Sequence, residues 1–174
     1  GEICGLQWGD FDLKLGTLKI SRTVCRISRG NGHTKVVIQT PKTRTSRREI
    51  PIPKCLLLML KKLRGNASNS TWFLSGNESK PTEPRCYRKS IKAYLKQAIV
   101  RQVRPHTLRH TFATTCLQAG CDVKTLSELL GHSNANITLQ RYVHSDLTRK
   151  RREMNRIFSH QVSVKGRKTL NLME

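Results

Sequence analysis

The sequence predicts an α+β fold, a mostly helical domain with a small three-stranded antiparallel sheet on one edge. Three observations point there. Residues 17–52 alternate β-branched and polar side chains between turn-forming clusters, which suits short antiparallel strands. Beyond Pro53, apolar residues recur at helical spacing in segments opened by proline or aspartate and closed by glycine. No apolar run approaches the ~20 residues that a membrane span needs. At 174 residues the chain is one domain's worth. That domain is expected over residues 1–158, with residues 159–174 as a polar C-terminal tail that packs only against something else.

Each element has its own warrant. Residues 2–8 read as the end of a helix followed by a turn at Gly9-Asp10. In residues 17–27 the order Leu18, Ile20, Arg22, Val24, Arg26 alternates apolar and basic side chains, a strand with one wet face. Ser28 to Gly32 is dense in turn formers, and Val36, Val37 and Ile38 then mark a returning strand. A second turn, from Pro41 to Ser46, leads to a short third strand over residues 48–52, completing a meander. Residues 55–63 form an apolar-rich helix closed by Gly65, and residues 72–74 a short buried strand. Residues 84–100 carry Ile91, Tyr94 and Leu95 at helical spacing. The next helix opens at Pro105 with Leu108, Phe112, Thr115 and Ala119 as its stripe, and Gly120 stops it. Asp122 caps a helix burying Val123, Leu126, Leu129 and Leu130, closed by Gly131. One more helix follows Asn134, and a last one around residues 147–157 is loaded with Arg149, Lys150, Arg151 and Arg152.

Charge selects the partner. Thirty-three Lys and Arg against 11 Asp and Glu leave a formal net charge of +22, and such a chain needs a polyanion. A nucleic acid fits, because phosphate neutralisation releases counterions. A membrane surface does not, for lack of a basic amphipathic helix with an aromatic apolar face. The six cysteines form no C-x-x-C pair and most fall at apolar positions, which suits reduced thiols in a cytoplasm.

Some residues are placed to do chemistry. His106 and Arg109, three apart at the start of a helix, project from one face and could cradle a phosphate. Taken alone, that pair reads more readily as a solvated polar face. His132 follows Gly131 at a helix end, and Tyr142 lies ten residues further on. An isolated tyrosine is more often a core residue than a nucleophile.

The combination H-x-x-R, then Leu130-Gly131-His132, then Tyr142 resembles the tyrosine recombinases, the phage integrase family, and among them most of all the integrases of conjugative transposons and phages. Pro105-His106-Thr107-Leu108-Arg109-His110-Thr111 carries the most recognisable segment. Thr40-Pro41-Lys42-Thr43 is similar to the turn that delivers that family's catalytic lysine. The resemblance covers residues 1 to about 157, and implies a catalytic domain for site-specific DNA recombination, the integration or excision of a mobile element. It implies that Tyr142 attacks a scissile phosphate to give a 3′-phosphotyrosyl intermediate and a free 5′-hydroxyl. Arg109 would clamp the non-bridging oxygens, with His132 as a further donor. Lys42 would be the general acid, and His106 the accepting base or an orienting donor. No metal and no cofactor are implied.

Further expectations follow from the same likeness. Glu2 matches an acidic residue supporting the family's first catalytic arginine, which would lie two residues before Gly1. A chain beginning at Gly1 is therefore expected to be impaired in cleavage by itself. Arg44, Arg47, Arg48 and Arg141 are the expected DNA-binding residues, and His110, on the other side of its helix, is expected to be structural. A tetramer on DNA, exchanging C-terminal tails, is the implied homo-oligomer, bacterial or phage-encoded, cytoplasmic and nucleoid-associated. Rival readings are a chromosome-dimer-resolving recombinase, a type IB topoisomerase, a non-enzymatic DNA-binding domain, and a zinc module built on His106, His110, Cys116 and Cys121.

Overall fold

The computed structural model describes residues 1–41, 44–142, 150, 151, 154 and 155, with the side chains of Arg44 and Arg141 outside that description. Lys42, most of the helix expected over 147–157, and the tail at 159–174 also fall outside it. The described residues form an α+β domain with five α-helices and a small three-stranded antiparallel sheet.

The sheet is built from β1 (Phe11–Asp12), β2 (Thr17–Ile20) and β5 (Arg48–Pro51) in the order β1-β2-β5. β3 (Thr23–Ser28) and β4 (Thr34–Gln39) pair separately as a two-stranded hairpin. The single strand expected over residues 17–27 is thus broken at Ser21-Arg22, and the meander is not formed. The cause is Arg22. Its guanidinium turns in to Gln7 Oε1 at 2.5 Å and to the Asp10 carboxylate at 2.5 Å, lying over the Trp72 ring. The chain then runs out along the hairpin and returns so that Arg48 pairs with Ile20 of β2 rather than with β4.

The start of the chain also differs from expectation. Residues 2–8 hold a single 3₁₀ turn, Ile3–Gly5, and a second follows at Trp8–Asp10. A regular helix is excluded because the backbone is tied elsewhere. Gln7 bridges Trp72, Trp8 N–H donates to Thr71 O at 3.0 Å, and Phe73 N–H donates to Leu6 O at 2.9 Å. The strand expected at residues 72–74 is reduced to that one bridge.

The helices are α1 (Lys54–Arg64), α2 (Pro84–Gln97), α3 (Pro105–Gln118), α4 (Val123–Leu130) and α5 (Ala135–Tyr142). Two apolar clusters hold the domain. Leu6, Trp8, Phe11, Ile20 and Leu60 join the sheet to α1, and Ala113, Leu117, Leu126 and Leu130 join α3 to α4. The stripe expected on α3 is rotated. Leu108 and Phe112 are each 48% exposed, while Ala113 and Leu117 are buried. One residue along a helix is about 100° of rotation, so the inward face is the one beside Phe112. Between the two clusters, α4 packs against β5.

Candidate active site

The site is assembled at the ends of three helices. Pro105 starts α3, where a missing N–H costs nothing, and so sets His106 and Arg109 on its first turns. The Asp122 side chain accepts from Thr125 N–H at 2.9 Å and fixes the start of α4. Gly131 ends α4 in the left-handed region at φ 70°, where Gly131 N–H bonds Glu128 O and His132 N–H bonds Ser127 O, both at 3.0 Å. His132 is therefore held directly past a helix terminus. The Asn134 side chain accepts from Asn136 N–H at 2.9 Å and opens α5, whose last residue is Tyr142.

His106, Arg109, His110, His132 and Tyr142 line one cleft of about 290 Å³. Three helices that are separate in sequence thus bring four of the expected site residues together. His110 is the addition. Four residues on from His106, it is rotated by only about 40°, so it shares that face rather than opposing it. Its ring meets Tyr142 edge-on, with centroids 5.0 Å apart and an interplanar angle of 84°. The expectation that His110 lies on the far side of α3 is corrected, and the i, i+4 spacing was the signal for it.

Hydrogen bonds orient the catalytic candidates. His132 Nδ1 lies 2.7 Å from Thr138 Oγ1, and Thr138 is fully buried. Thr138 precedes Tyr142 by one helical turn, so one face of α5 sets both the imidazole and the phenol. Arg109 Nη2 donates to the Leu130 carbonyl at the end of α4. Arg48 Nε donates to the preceding carbonyl, Leu129 O, at 2.8 Å. Two cations thus sit at the negative end of the α4 dipole.

Arg48 departs from its expected role. Its side chain is 12% exposed, and its guanidinium holds the Glu2 carboxylate in a fork at 2.9 and 3.0 Å. The guanidinium faces inward, with its donors turned to protein oxygens. Burial acts to raise the Glu2 carboxyl, but the hydrogen bond and charge of Arg48, with the charge of Arg109, hold it below the ordinary carboxylate value. Arg47, its neighbour, is exposed. Lys42 and the side chains of Arg44 and Arg141 lie outside the described residues.

The zinc arrangement is not assembled. Cys116 and Cys121 pack against the α3–α4 cluster, and among the described residues no three His, Cys, Asp or Glu side chains converge as metal ligands. No helix of the described residues is long and apolar enough to cross a membrane.

The model of the phage integrase family matches residues 1–149, and the chain belongs to that family. It is 33% identical over 162 residues to a tyrosine recombinase XerC-like protein of Caldanaerobacter subterraneus subsp. tengcongensis, covering 83% of this chain and 41% of that protein. It is 26% identical over 171 residues to the transposase of transposon Tn916 from Enterococcus faecalis, covering 90% of this chain and 41% of the relative. Among solved structures, the Tn1549 transposon integrase in complex with circular intermediate DNA superposes with a TM-score of 0.70 at 27% identity, covering 90% of this chain and 54% of that one. The chain therefore spans about half the length, or less, of the relatives it matches.

Proposed function

We propose that this domain carries out site-specific DNA recombination, cutting and rejoining strands through a 3′-phosphotyrosyl intermediate to integrate or excise a mobile element. The observation that carries the reading is the shared cleft, in which Tyr142 stands with His106, Arg109 and His132. Binding alone has no use for a nucleophile there.

In the proposed chemistry, Tyr142 Oη attacks the scissile phosphorus, and the bond from phosphorus to the 5′-oxygen breaks as the tyrosyl ester forms. The phenol must lose its proton during attack, and His106, in the same cleft, is the proposed acceptor or an orienting donor. Arg109 and His132 stabilise the charge that builds on the non-bridging oxygens, each such donor contributing about 10²–10³ in rate. Lys42 protonates the departing 5′-oxygen. Attack by a second 5′-hydroxyl reverses the step, so the ester keeps the bond energy and neither nucleotide nor metal is consumed. Arg44, Arg47 and Arg141 are the proposed phosphate contacts, on double-stranded DNA.

The mobile-element role is supported by the transposon relatives and by the 0.70 superposition on a transposon integrase. Resolution of chromosome dimers is the second reading, favoured by the XerC-like relative at 33% identity. A tetramer on DNA with exchanged C-terminal tails, working in the cytoplasm on the nucleoid, completes the proposal. The test is incubation of the full-length protein with a nicked suicide substrate, in which the cut end diffuses away and traps the ester. A covalent DNA–protein adduct on a denaturing gel supports the reading, and its absence at saturating DNA contradicts it.

A further inference from the structure

We infer that Arg48 is a positioning residue of the strand-transfer site, holding the β5 strand to the α4 terminus that presents His132; this rests on the function proposed above. Four of its five guanidinium N–H groups are engaged. Nε donates to Leu129 O at 2.8 Å, Nη1 to Glu2 Oε1 at 2.9 Å and to Ser46 O at 3.2 Å, and Nη2 to Glu2 Oε2 at 3.0 Å. One side chain thus ties three separate segments: the start of the chain, the turn before β5, and the end of α4. That turn follows Lys42 by four residues, and the end of α4 precedes His132 by two.

Gly131 shows how closely the parts fit. A Cβ at Gly131 would lie 2.7 Å from Arg48 Nη1, so the guanidinium packs directly against the glycine that turns the chain into His132. Beside it, Arg109 bonds the next carbonyl, Leu130 O. Arg48 therefore sets the backbone from which Arg109 takes its own orientation. A plain surface ion pair has none of these features, and a phosphate contact needs donors that Arg48 has already given to protein oxygens. Lysine keeps the charge but lacks the planar fork that reaches a carboxylate and a helix carbonyl together.

The test compares the full-length parent with Arg48→Lys and Glu2→Gln on a nicked suicide substrate. It reads DNA affinity, the final amount of adduct per protein, and the single-turnover rate at saturating DNA. Displacing reacting groups by about an ångström costs on the order of 10²-fold in rate, so Arg48→Lys should slow adduct formation by about that factor. Its DNA affinity and final adduct yield should stay within about twofold of the parent. Glu2→Gln keeps the Arg48–Leu129 bond and weakens only one charged hydrogen-bonded pair, which predicts roughly a tenfold slowing. Normalising the rate to the adduct yield removes any unfolded fraction, so a purely structural role would lower yield and leave the rate untouched. That outcome, or equal rates in parent and Arg48→Lys, overturns the assignment. So does a uniform loss of DNA affinity with an unchanged rate at saturation, which would make Arg48 a phosphate contact. A parent that forms no adduct overturns the strand-transfer reading, and the role of Arg48 with it.

Discussion

The Thr138 hydroxyl lies 2.7 Å from His132 Nδ1, inside a helix face with no exposed surface at Thr138. A hydrogen bond at one imidazole nitrogen fixes the ring plane and the tautomer presented by the other. The partner here comes from the helix that carries Tyr142, so the tyrosine and the histidine share one support.

Thr138→Val keeps the shape of the side chain and removes that bond. Losing one hydrogen bond to a half-buried imidazole costs about 0.5–1.5 kcal/mol. The expected result is adduct formation slowed about tenfold with DNA affinity unchanged, and recovery in Thr138→Ser. Single-turnover rates of the three proteins check it. A Thr138→Val enzyme as fast as the parent would show that His132 is oriented by other contacts.

The His110–Tyr142 ring contact should matter through its shape. Edge-to-face pairs contribute about 0.5–1.5 kcal/mol beyond the area they bury. His110→Ala should therefore slow the tyrosyl transfer by up to about tenfold, and His110→Phe, which keeps a ring in place, should restore most of it. A defect in His110→Phe equal to that in His110→Ala would point instead to the imidazole nitrogens.

The Glu2–Arg48 pair predicts an acid-sensitive part of stability. The Glu2 carboxyl is held below its ordinary value of 4.5 in the folded chain. A depressed carboxyl stabilises the fold above its unfolded pKa and loses that contribution as pH falls through the folded one. The stability difference between the parent and Glu2→Gln should be constant from neutrality down to about pH 5 and shrink below pH 4.5. Thermal melts of both proteins from pH 7 to pH 3 measure it. A difference that grows on acidification would contradict the pairing.

Arg47, exposed next to the inward Arg48, should act on phosphate alone. Replacing it with alanine should weaken binding to all DNA sequences about equally, and reduce the slope of log affinity against log salt by about one. Titrations at several salt concentrations test this, and a loss confined to one sequence would make Arg47 a base reader.

Much of this was legible in the chain because it is local. Pro105, Asp122 and Gly131 mark where α3 starts and α4 starts and ends, and the spacing from His106 to Tyr142 carries the site. What was not legible depends on distant partners. The alternation Leu18, Ile20, Arg22, Val24, Arg26 continues unbroken in sequence, and only Asp10, Gln7 and Trp72 divide it into strands of two sheets. The charge run Arg47-Arg48 looks uniform, yet period-two alternation puts Arg48 on the face of Ile50 and leaves Arg47 and Glu49 outside. On α3, Leu108 and Phe112 formed a plausible stripe, but α4 packs one residue further round, on Ala113 and Leu117.

Whether Tyr142 becomes covalently joined to DNA is decided by adduct formation with Tyr142→Phe in the full-length protein on a nicked suicide substrate. Removing the phenolic oxygen leaves the cleft with His106, Arg109 and His132 in place. The variant should bind the substrate like the parent and yield no adduct, while the parent accumulates one. An adduct of normal yield from Tyr142→Phe would contradict the account, because the covalent bond would then be formed by another residue.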